Sequence, residues 1–211
     1  GFKNDLSKIG EICKQNNIVF IVDATQSAGV SRIDFKAIHA DVIVFSTHKW
    51  LNSGYSTACM VVSSSITAIY KSSIVGWNSV LPIKDFTNDK IIRKKHASVF
   101  ELGHPDFISI YALSAQLTFV QSIGIVNIEK RISTLCEYLV EKASISGLKI
   151  LNNNSGTENQ SGMIIIDCNK RQQEKLQSMN IDTTSYAQSI MIALSYYNNT
   201  TDIDNLIDAL M

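Results

Sequence analysis

Two neighbouring stretches decide the fold: residues 18–23, which read IVFIVD, and residues 41–49, which read DVIVFSTHK. Each contains an unbroken apolar run, the pattern of a strand that is covered on both faces in a parallel sheet. Polar side chains follow where each run ends: Asp23, Gln26, Ser46, His48 and Lys49. Because ligands bind at the carboxyl ends of such strands, the sequence predicts an α/β sheet with a site at this edge.

Taken singly, each of these residues has a simpler structural explanation. An aspartate after a strand is most often a helix N-cap. A lone lysine is usually solvated, and a histidine beside it is more often a residue at the surface or at the edge of the core than a catalytic one. The functional interpretation depends on these polar residues falling together at two adjacent strand ends.

The chain around these stretches alternates between helical and strand patterns, as in an α/β layer. Residues 5–15 carry apolar side chains at helical spacing, and a short helical stretch is predicted at residues 35–39. A third apolar run, ACMVV at residues 58–62, predicts another strand of the same sheet, and residues 63–70 predict a short helix.

A long irregular segment follows, at residues 76–98, with the basic cluster RKKH at residues 93–96. Loops of this length are usually lids or binding segments, or else disordered. Strong helical periodicity then appears at residues 108–123 and 125–143, with Gly124 as the joint between the two stretches. These helices are expected to lead into a second domain.

From residue 148 onward, short apolar runs alternate with polar helical stretches, which is typical of a small α+β unit. Strands are predicted at residues 148–151, 163–166 and 190–194, helices at residues 169–179 and 202–210, and a loop at residues 152–162. We therefore expect a partial large domain at residues 1–123 and a small C-terminal α+β domain at residues 124–211.

Composition argues against several classes of protein. Of the 211 residues, 45% are hydrophobic and 18% are charged, and 19 basic residues balance 19 acidic ones, which argues against disorder and against a basic nucleic-acid surface. No apolar run approaches the roughly 18 residues of a membrane span, and no secretory signal is visible, so a soluble, cytoplasmic protein is expected. The 4 cysteines form no CxxC pair and are predicted to be reduced core residues.

Four words of the sequence resemble a known family. They are DATQSAG at residues 23–29, STHKWLN at residues 46–52, FELGHPDF at residues 100–107 and SYYNNTTDID at residues 195–204. In order and spacing they resemble the class V aminotransferases of the fold-type I enzymes that use pyridoxal 5'-phosphate, which include cysteine desulfurases and kynureninases. The resemblance implies the C-terminal part of such a transferase, with a partial parallel-type sheet and a small α+β domain.

The resemblance implies a role for each clustered residue. Lys49 would hold the cofactor as an internal Schiff base and move protons at the substrate Cα. Asp23 would pair with the pyridine nitrogen and keep it protonated. Gln26 would hydrogen-bond the phenolic oxygen of the ring, and Ser46 and His48 would contact the phosphate.

Three departures from the family pattern limit these implications. The family's phosphate-cradling loop and ring-stacking residue lie upstream of this chain, whose opening GFKNDLSKIG resembles an internal segment. The family's carboxylate-binding arginine aligns with Met191, which cannot form a bidentate contact. The family's GTPN word, whose threonine reaches the phosphate of the neighbouring subunit, reads GHPD at residues 103–106, where His104 could still donate.

Three functional hypotheses remain. The first is a pyridoxal-phosphate-dependent transferase or lyase acting on a small amino-group substrate, present as a C-terminal portion and assembled as the family's homodimer. The second is a non-catalytic remnant, and the third is a binding module that dimerises through the family's interface. Neither residues 76–98 nor residues 152–162 contain a cysteine, so persulfide chemistry is not expected. No metal site is predicted.

Overall fold

The computed structural model describes residues 1–70, 72–81, 90–152 and 161–211. Contacts between residues divide the chain into two compact units. The N-terminal unit contains Leu6–Gly29 and Ile33–Ser122, and the C-terminal unit contains Gly1–Asp5, Val30–Arg32 and Ile123–Met211. The assignment of folding domains to residues 1–123 and 124–211 stays a prediction.

A three-stranded sheet organises the N-terminal unit. Helix α1 (Leu6–Gln15) precedes β1 (Ile21–Asp23), and β2 (Val42–Ser46) and β3 (Ala58–Val62) complete the sheet in the order β1-β2-β3. β1 and β2 are parallel, so their carboxyl ends lie at the same edge. Small and branched side chains form the core of this unit: Val22, Ala24, Ile38, Ala40 and Ile43.

Two expectations about this sheet are wrong. β3 runs antiparallel to β2, because residues 47–57 contain no helix and a parallel return needs a long crossover connection. The strands are also not covered on both faces within this chain, since Ile21 is 61% exposed and Val61 is 44% exposed. The apolar runs correctly predicted three strands and a parallel pairing of β1 with β2, but they did not predict the direction of β3 or the exposure of Ile21 and Val61.

The other elements of the N-terminal unit are helices and turns. α2 (Ser64–Ile69) begins after Ser63, whose hydroxyl accepts from the backbone N–H of Ile66. α3 (Phe107–Ile123) ends where the C-terminal unit begins. Residues 35–39 form hydrogen-bonded turns rather than the predicted helix.

The predicted long loop at residues 76–98 is only partly described. Its described residues are irregular apart from an isolated bridge between Val80 and Arg93, and residues 82–89 lie outside the described part. A short 3-10 helix at Ala97–Phe100, which was not predicted, follows it.

The C-terminal unit has three helices and a three-stranded antiparallel sheet in its described residues. The helices are α4 (Ile125–Ile145), α5 (Lys170–Ser178) and α6 (Thr200–Leu210); the strands are β4 (Met163–Asp167), β5 (Thr184–Tyr186) and β6 (Ser189–Ala193), in the order β4-β6-β5. Alternate side chains of the two long strands are fully or almost fully buried: Ile164, Ile166, Ile190 and Ile192. This alternation is why one face of the sheet forms the core.

The predicted helices and long strands of this unit are confirmed within two residues at each end. β5 was missed because its residues, TSY, are all exposed and carry no alternating apolar pattern. Residues 148–151 contribute only a bridge between Ile150 and Ile166. Most of the loop predicted at residues 152–162, namely residues 153–160, lies outside the described part.

Two further observations concern the chain as a whole. No single helix in the described ranges is both long and apolar enough to cross a membrane. All four cysteines are free. Cys136 and Cys168 are buried as predicted, whereas Cys13 and Cys59 are only partly buried. Burial raises the pKa of the Cys136 thiol to about 12.

Candidate functional site

The parallel register of β1 and β2 brings two strand ends level. Asp23, the last residue of β1, lies opposite Val44. The ladder continues one residue further, because the Ala24 N–H donates to the Val44 carbonyl at 2.8 Å. Ser46 is the last residue of β2. The residues that follow both strands therefore leave the sheet at the same edge.

Thr25 joins these two strand ends. Its hydroxyl oxygen accepts from the Ser46 N–H at 3.2 Å, and its own N–H donates to Asp23 Oδ1 at 2.9 Å. The hydroxyl and N–H of Thr25, together with the positive charge of Lys49, lower the pKa of the Asp23 carboxyl. Asp23 is exposed, and it is ionised at neutral pH.

Gln26 has a defined amide orientation. Its Oε1 accepts from Trp50 Nε1 at 3.1 Å. An indole N–H can only donate, so the oxygen of the amide must face Trp50, and the Nε2 of Gln26 is left as a donor on the other side. The contact also ties the residue after Lys49 to the segment that follows β1.

Lys49 is exposed in the loop after β2. Its carbonyl accepts from the Asn52 N–H at 3.0 Å, and Asn52 has a left-handed backbone, with φ of 49°. Asparagine is one of the few side chains that tolerate this conformation. The tight turn allows the chain to reverse toward β3 directly after the lysine.

Buried polar atoms without partners concentrate in the same loop. Within the described residues, four side-chain atoms are in this condition: Ser46 Oγ, His48 Nδ1, Ser53 Oγ and Thr57 Oγ1. An unsatisfied buried polar atom costs about 1–3 kcal/mol, and each one in a native structure needs an explanation such as a ligand or an ordered water. All four lie between residues 46 and 57, which makes this loop a candidate ligand site.

The ring of His48 is further held by an aromatic contact. It stacks on Tyr55, with ring centroids 5.0 Å apart and an interplanar angle of 17°. Tyr55 itself is 86% exposed. The stack orients the imidazole and leaves an aromatic side chain open to solvent beside it.

The other two positions singled out by the sequence lie elsewhere. His104 is exposed in the segment before α3, and in the described part of the chain no hydrogen bond joins its ring to Asp23 or Lys49. Met191 lies in the middle of β6 in the C-terminal unit, between Ile165 and Thr184. The structure thus places five of the six candidate site residues at the ends of β1 and β2 or in the loop that follows β2, and His104 in the segment before α3.

Sequence reasoning missed Thr25, Trp50 and Thr47. Each stands directly beside a residue that was singled out, so adjacency was the available signal. Their partners are distant, however: Thr25 meets Ser46 across 21 positions and Trp50 meets Gln26 across 24. These contacts form only because the two strands pair. A local sequence pattern contains no information about that pairing.

Comparison with known proteins gives one family and a consistent fold. A sequence model of the family described as Aminotransferase class-V matches residues 1–184. An uncharacterized aminotransferase, YcbU from Bacillus subtilis (strain 168), is 27% identical over 210 residues, covering 99% of this chain and 55% of the relative. The chain spans about half the length of the curated relatives that it matches.

Solved structures agree on the fold. The apo structure of a cysteine desulfurase from Thermococcus onnurineus NA1 has a TM-score of 0.87 at 18% identity, covering 97% of this chain and 54% of that one. A mutant of C-DES with glycine covalently linked to its PLP cofactor has a TM-score of 0.85 at 18% identity, covering 98% and 56%. These likenesses establish the α/β architecture of fold-type I proteins.

Proposed function

The chain belongs to the class V aminotransferase family, and we propose that it contributes to a pyridoxal 5'-phosphate-dependent transferase or lyase acting on a small amino-group substrate. The observation that carries the proposal is the parallel register of β1 and β2, which brings Asp23, the last residue of β1, and the loop with Lys49 that follows β2 to the same edge of the sheet. The charge of Lys49 contributes to lowering the pKa of Asp23. Asp23 is therefore ionised at neutral pH and lies within the electrostatic influence of the Lys49 amine.

The residues at this edge fit the cofactor chemically. An aldehyde requires an amine, which Lys49 offers, and a protonated ring nitrogen requires an anion, which Asp23 offers. Phosphate oxygens require donors, and Ser46 Oγ and His48 Nδ1 are polar atoms without a protein partner among the described residues. The aldehyde, the ring nitrogen and the phosphate of the cofactor therefore each have a chemically suitable side chain in this set.

Each side chain has a distinct task in the proposed reaction. When bound, pyridoxal phosphate supplies an electron-accepting ring that stabilises negative charge at the substrate Cα. The Asp23 carboxylate would keep the proton on the ring nitrogen. Lys49 Nζ would hold the cofactor covalently and carry the Cα proton. Gln26 Nε2 would donate to the ring oxygen, while the Oε1 of the same amide accepts from Trp50.

The same proposal includes the reaction branch, the assembly and the location. Relatives and structural neighbours are named as aminotransferases, cysteine desulfurases and a C-S lyase. Because neither residues 76–98 nor residues 152–162 contain a cysteine, we propose transfer or lyase chemistry without a persulfide. A homodimer, in which His104 of one subunit faces the phosphate of the other, and a cytoplasmic location stay predictions.

One observation favours a second candidate, a non-catalytic remnant or dimerisation module. By the family resemblance, Met191 takes the place of the arginine that binds the substrate carboxylate, and a thioether offers no hydrogen-bond donor. A chain of this kind would keep the cofactor-facing residues without turning over an amino acid. Covalent labelling separates binding of the cofactor from turnover and is therefore the first test.

The test is reduction of the 211-residue chain with borohydride in the presence of pyridoxal 5'-phosphate, followed by peptide mapping. Reduction makes a reversible adduct permanent, so even weak binding is recorded. We expect the pyridoxyl group on Lys49, and its loss from that peptide in Lys49→Ala. Lys36→Ala is the matched control, because Lys36 is an exposed lysine of the same unit. Labelling of Lys49 in this variant should equal that in the wild type.

Equal labelling of many lysines, or undiminished labelling in Lys49→Ala, would contradict the proposed function. Labelling of Lys49 without turnover of any amino acid tested would support the remnant over the enzyme.

A further inference from the structure

Thr47 stands between two of the candidate site residues and is completely buried. It has 0% exposure, whereas its neighbours Ser46 and His48 are partly exposed. A buried hydroxyl needs a partner, because leaving it unpaired costs about as much as a lost hydrogen bond. Thr47 has partners on the far side of the loop.

Three polar groups of Thr47 close the loop between β2 and β3. Its hydroxyl lies 3.0 Å from the Gly54 carbonyl and 2.8 Å from the Thr57 carbonyl. Its N–H donates to the Thr57 carbonyl at 3.2 Å, and its own carbonyl accepts from the Ser53 N–H at 3.0 Å. A hydroxyl has one proton, so the two carbonyls share it, and this single group ties both to the end of β2.

A second contact secures the same loop against α3. A Cβ at Gly54 would come within 2.6 Å of Ser109 Oγ, so a larger residue there would require Ser109 to shift. Ser109 is buried, and its hydroxyl donates to Asp106 Oδ2 at 2.6 Å. Gly54, whose carbonyl accepts from the Thr47 hydroxyl, therefore packs closely against the first turn of α3.

The loop held in this way carries the residues of the site. Residues 48–53 lie between Thr47 and Gly54, whose carbonyl contacts the Thr47 hydroxyl. This segment includes His48 and Lys49. The unpaired atoms Ser46 Oγ and His48 Nδ1 flank Thr47 directly. Loss of the Thr47 hydroxyl would leave the carbonyls of Gly54 and Thr57 with fewer donors, and the loop would gain freedom where the lysine is presented.

We propose that Thr47 is a positioning residue, whose hydroxyl clamps the loop between β2 and β3 and so sets the placement of Lys49 and His48. The importance of Thr47 for catalysis rests on the proposed function, in which Lys49 binds the cofactor. The clamp itself is defined by contacts within one unit, and it can be tested without cofactor.

The test compares Thr47→Val, which keeps the shape and removes the hydroxyl, with Thr47→Ser, which keeps the hydroxyl. The measurement is trace acetylation of the 211-residue chain from neutral to alkaline pH, with mass spectrometry reporting Lys49 relative to Lys36 in the same molecule. In Thr47→Val the rate of acetylation of Lys49, relative to that of Lys36, should change by about two- to tenfold. This range corresponds to the net free energy of one hydrogen bond. Thr47→Ser should restore the wild-type profile.

Thr57→Val is the matched control. It removes a buried hydroxyl from the same loop, but that hydroxyl has no partner among the described residues, so the Lys49 profile should not change. If Thr47→Val does not fold by circular dichroism, Thr47→Ala replaces it with the same expected change at Lys49.

A folded Thr47→Val or Thr47→Ala chain with the wild-type Lys49 profile would overturn the proposal, even if its stability fell, because the role would then be structural only. The two proposals fail separately: absence of pyridoxyl label on Lys49 in the wild type contradicts the proposed function, and an unchanged acetylation profile contradicts the clamp.

Discussion

At the residue scale, the Thr25 hydroxyl connects the charge of Asp23 to the geometry of the neighbouring strand. It accepts from the Ser46 N–H and stabilises the ionised form of Asp23, with the Thr25 N–H and Lys49 adding to the effect. A hydroxyl can do both because it has one proton to donate and lone pairs to accept. The lowered pKa of Asp23 is thus linked to the same hydroxyl that connects β1 to the end of β2.

We predict that Thr25→Val raises the pKa of Asp23 toward its usual value. The substitution keeps the shape and removes the largest cause of the lowered pKa, while the Thr25 N–H and Lys49 remain. A carboxyl whose pKa is lowered by folding adds stability above its unfolded pKa and loses that contribution as the pH falls. Thr25→Val should therefore flatten the acid side of the stability profile slightly.

The measurement is an NMR titration of the side-chain carboxyls in wild type and variant. Asp202 is the internal control, since the N–H of Asn199 and the amide of Asn198 lower its pKa, and Thr25 is not among the causes of that shift. Its titration should be unchanged. An unchanged Asp23 titration in Thr25→Val would show that the hydroxyl does not set this pKa.

At the scale of elements, Gly124 separates two helices that have different environments. α3 has no charged residue and exposes much of its apolar surface, including Ile108 and Tyr111. α4 buries one face, with Ile128 and Leu139 fully covered. Gly124 has φ of 86° and ψ of 125°, a backbone that side chains other than glycine rarely adopt.

Gly124→Ala should destabilise the chain by about 1–3 kcal/mol, the cost of holding a non-glycine residue in such a conformation. The nearest atom to an added Cβ is Asn127 Nδ2 at 3.4 Å, so the cost comes from the backbone and not from a clash. The free energy of unfolding in urea measures the effect.

Gly103→Ala is the matched control. An added Cβ at Gly103 meets no atom within 4 Å, and its φ is not positive. We expect a change of less than about 0.5 kcal/mol there. Equal effects of the two substitutions would show that the joint at Gly124 does not require glycine.

At the scale of the whole molecule, the first sheet exposes apolar side chains on both outer strands. In the described residues β1 and β3 each pair on one side only, since the order is β1-β2-β3. Ile21 is 61% exposed on β1, and Met60 and Val61 are 36% and 44% exposed on β3. Apolar edge strands of this kind pair readily with other chains.

We predict that the 211-residue chain self-associates with rising concentration and that Ile21→Lys reduces the association. A charged side chain on an edge strand opposes pairing with a second strand because it must be desolvated. Ile145→Lys is the control, since Ile145 is 76% exposed at the end of α4 and away from any strand. Sedimentation velocity over a concentration series measures both.

If Ile21→Lys and Ile145→Lys lower the association equally, general solubility and not the sheet edge is responsible. A wild-type chain that stays monomeric at every concentration would contradict the prediction outright.

Periodic patterns predicted most elements of this protein. The helices α1, α3 and α4 were visible in the sequence because their apolar side chains recur at helical spacing. α5 and α6 were predicted as helical stretches among short apolar runs, and the strand β3 as an unbroken apolar run. β5 was not visible, because its three residues are exposed. The predicted direction of β3 was wrong, because an apolar run does not show whether the loop between β2 and β3 crosses over the sheet.

The sequence by itself determined which polar residues stand at the ends of β1 and β2, because strand ends follow from local pattern and the words DATQ and STHK are adjacent to them. Only the tertiary structure decided that Thr25 meets Ser46, that Trp50 orients Gln26, and that Thr47 holds the carbonyls of Gly54 and Thr57. The reason is physical: a short hydrogen bond depends on strand register and loop closure, and these are set by packing of residues far apart in the chain.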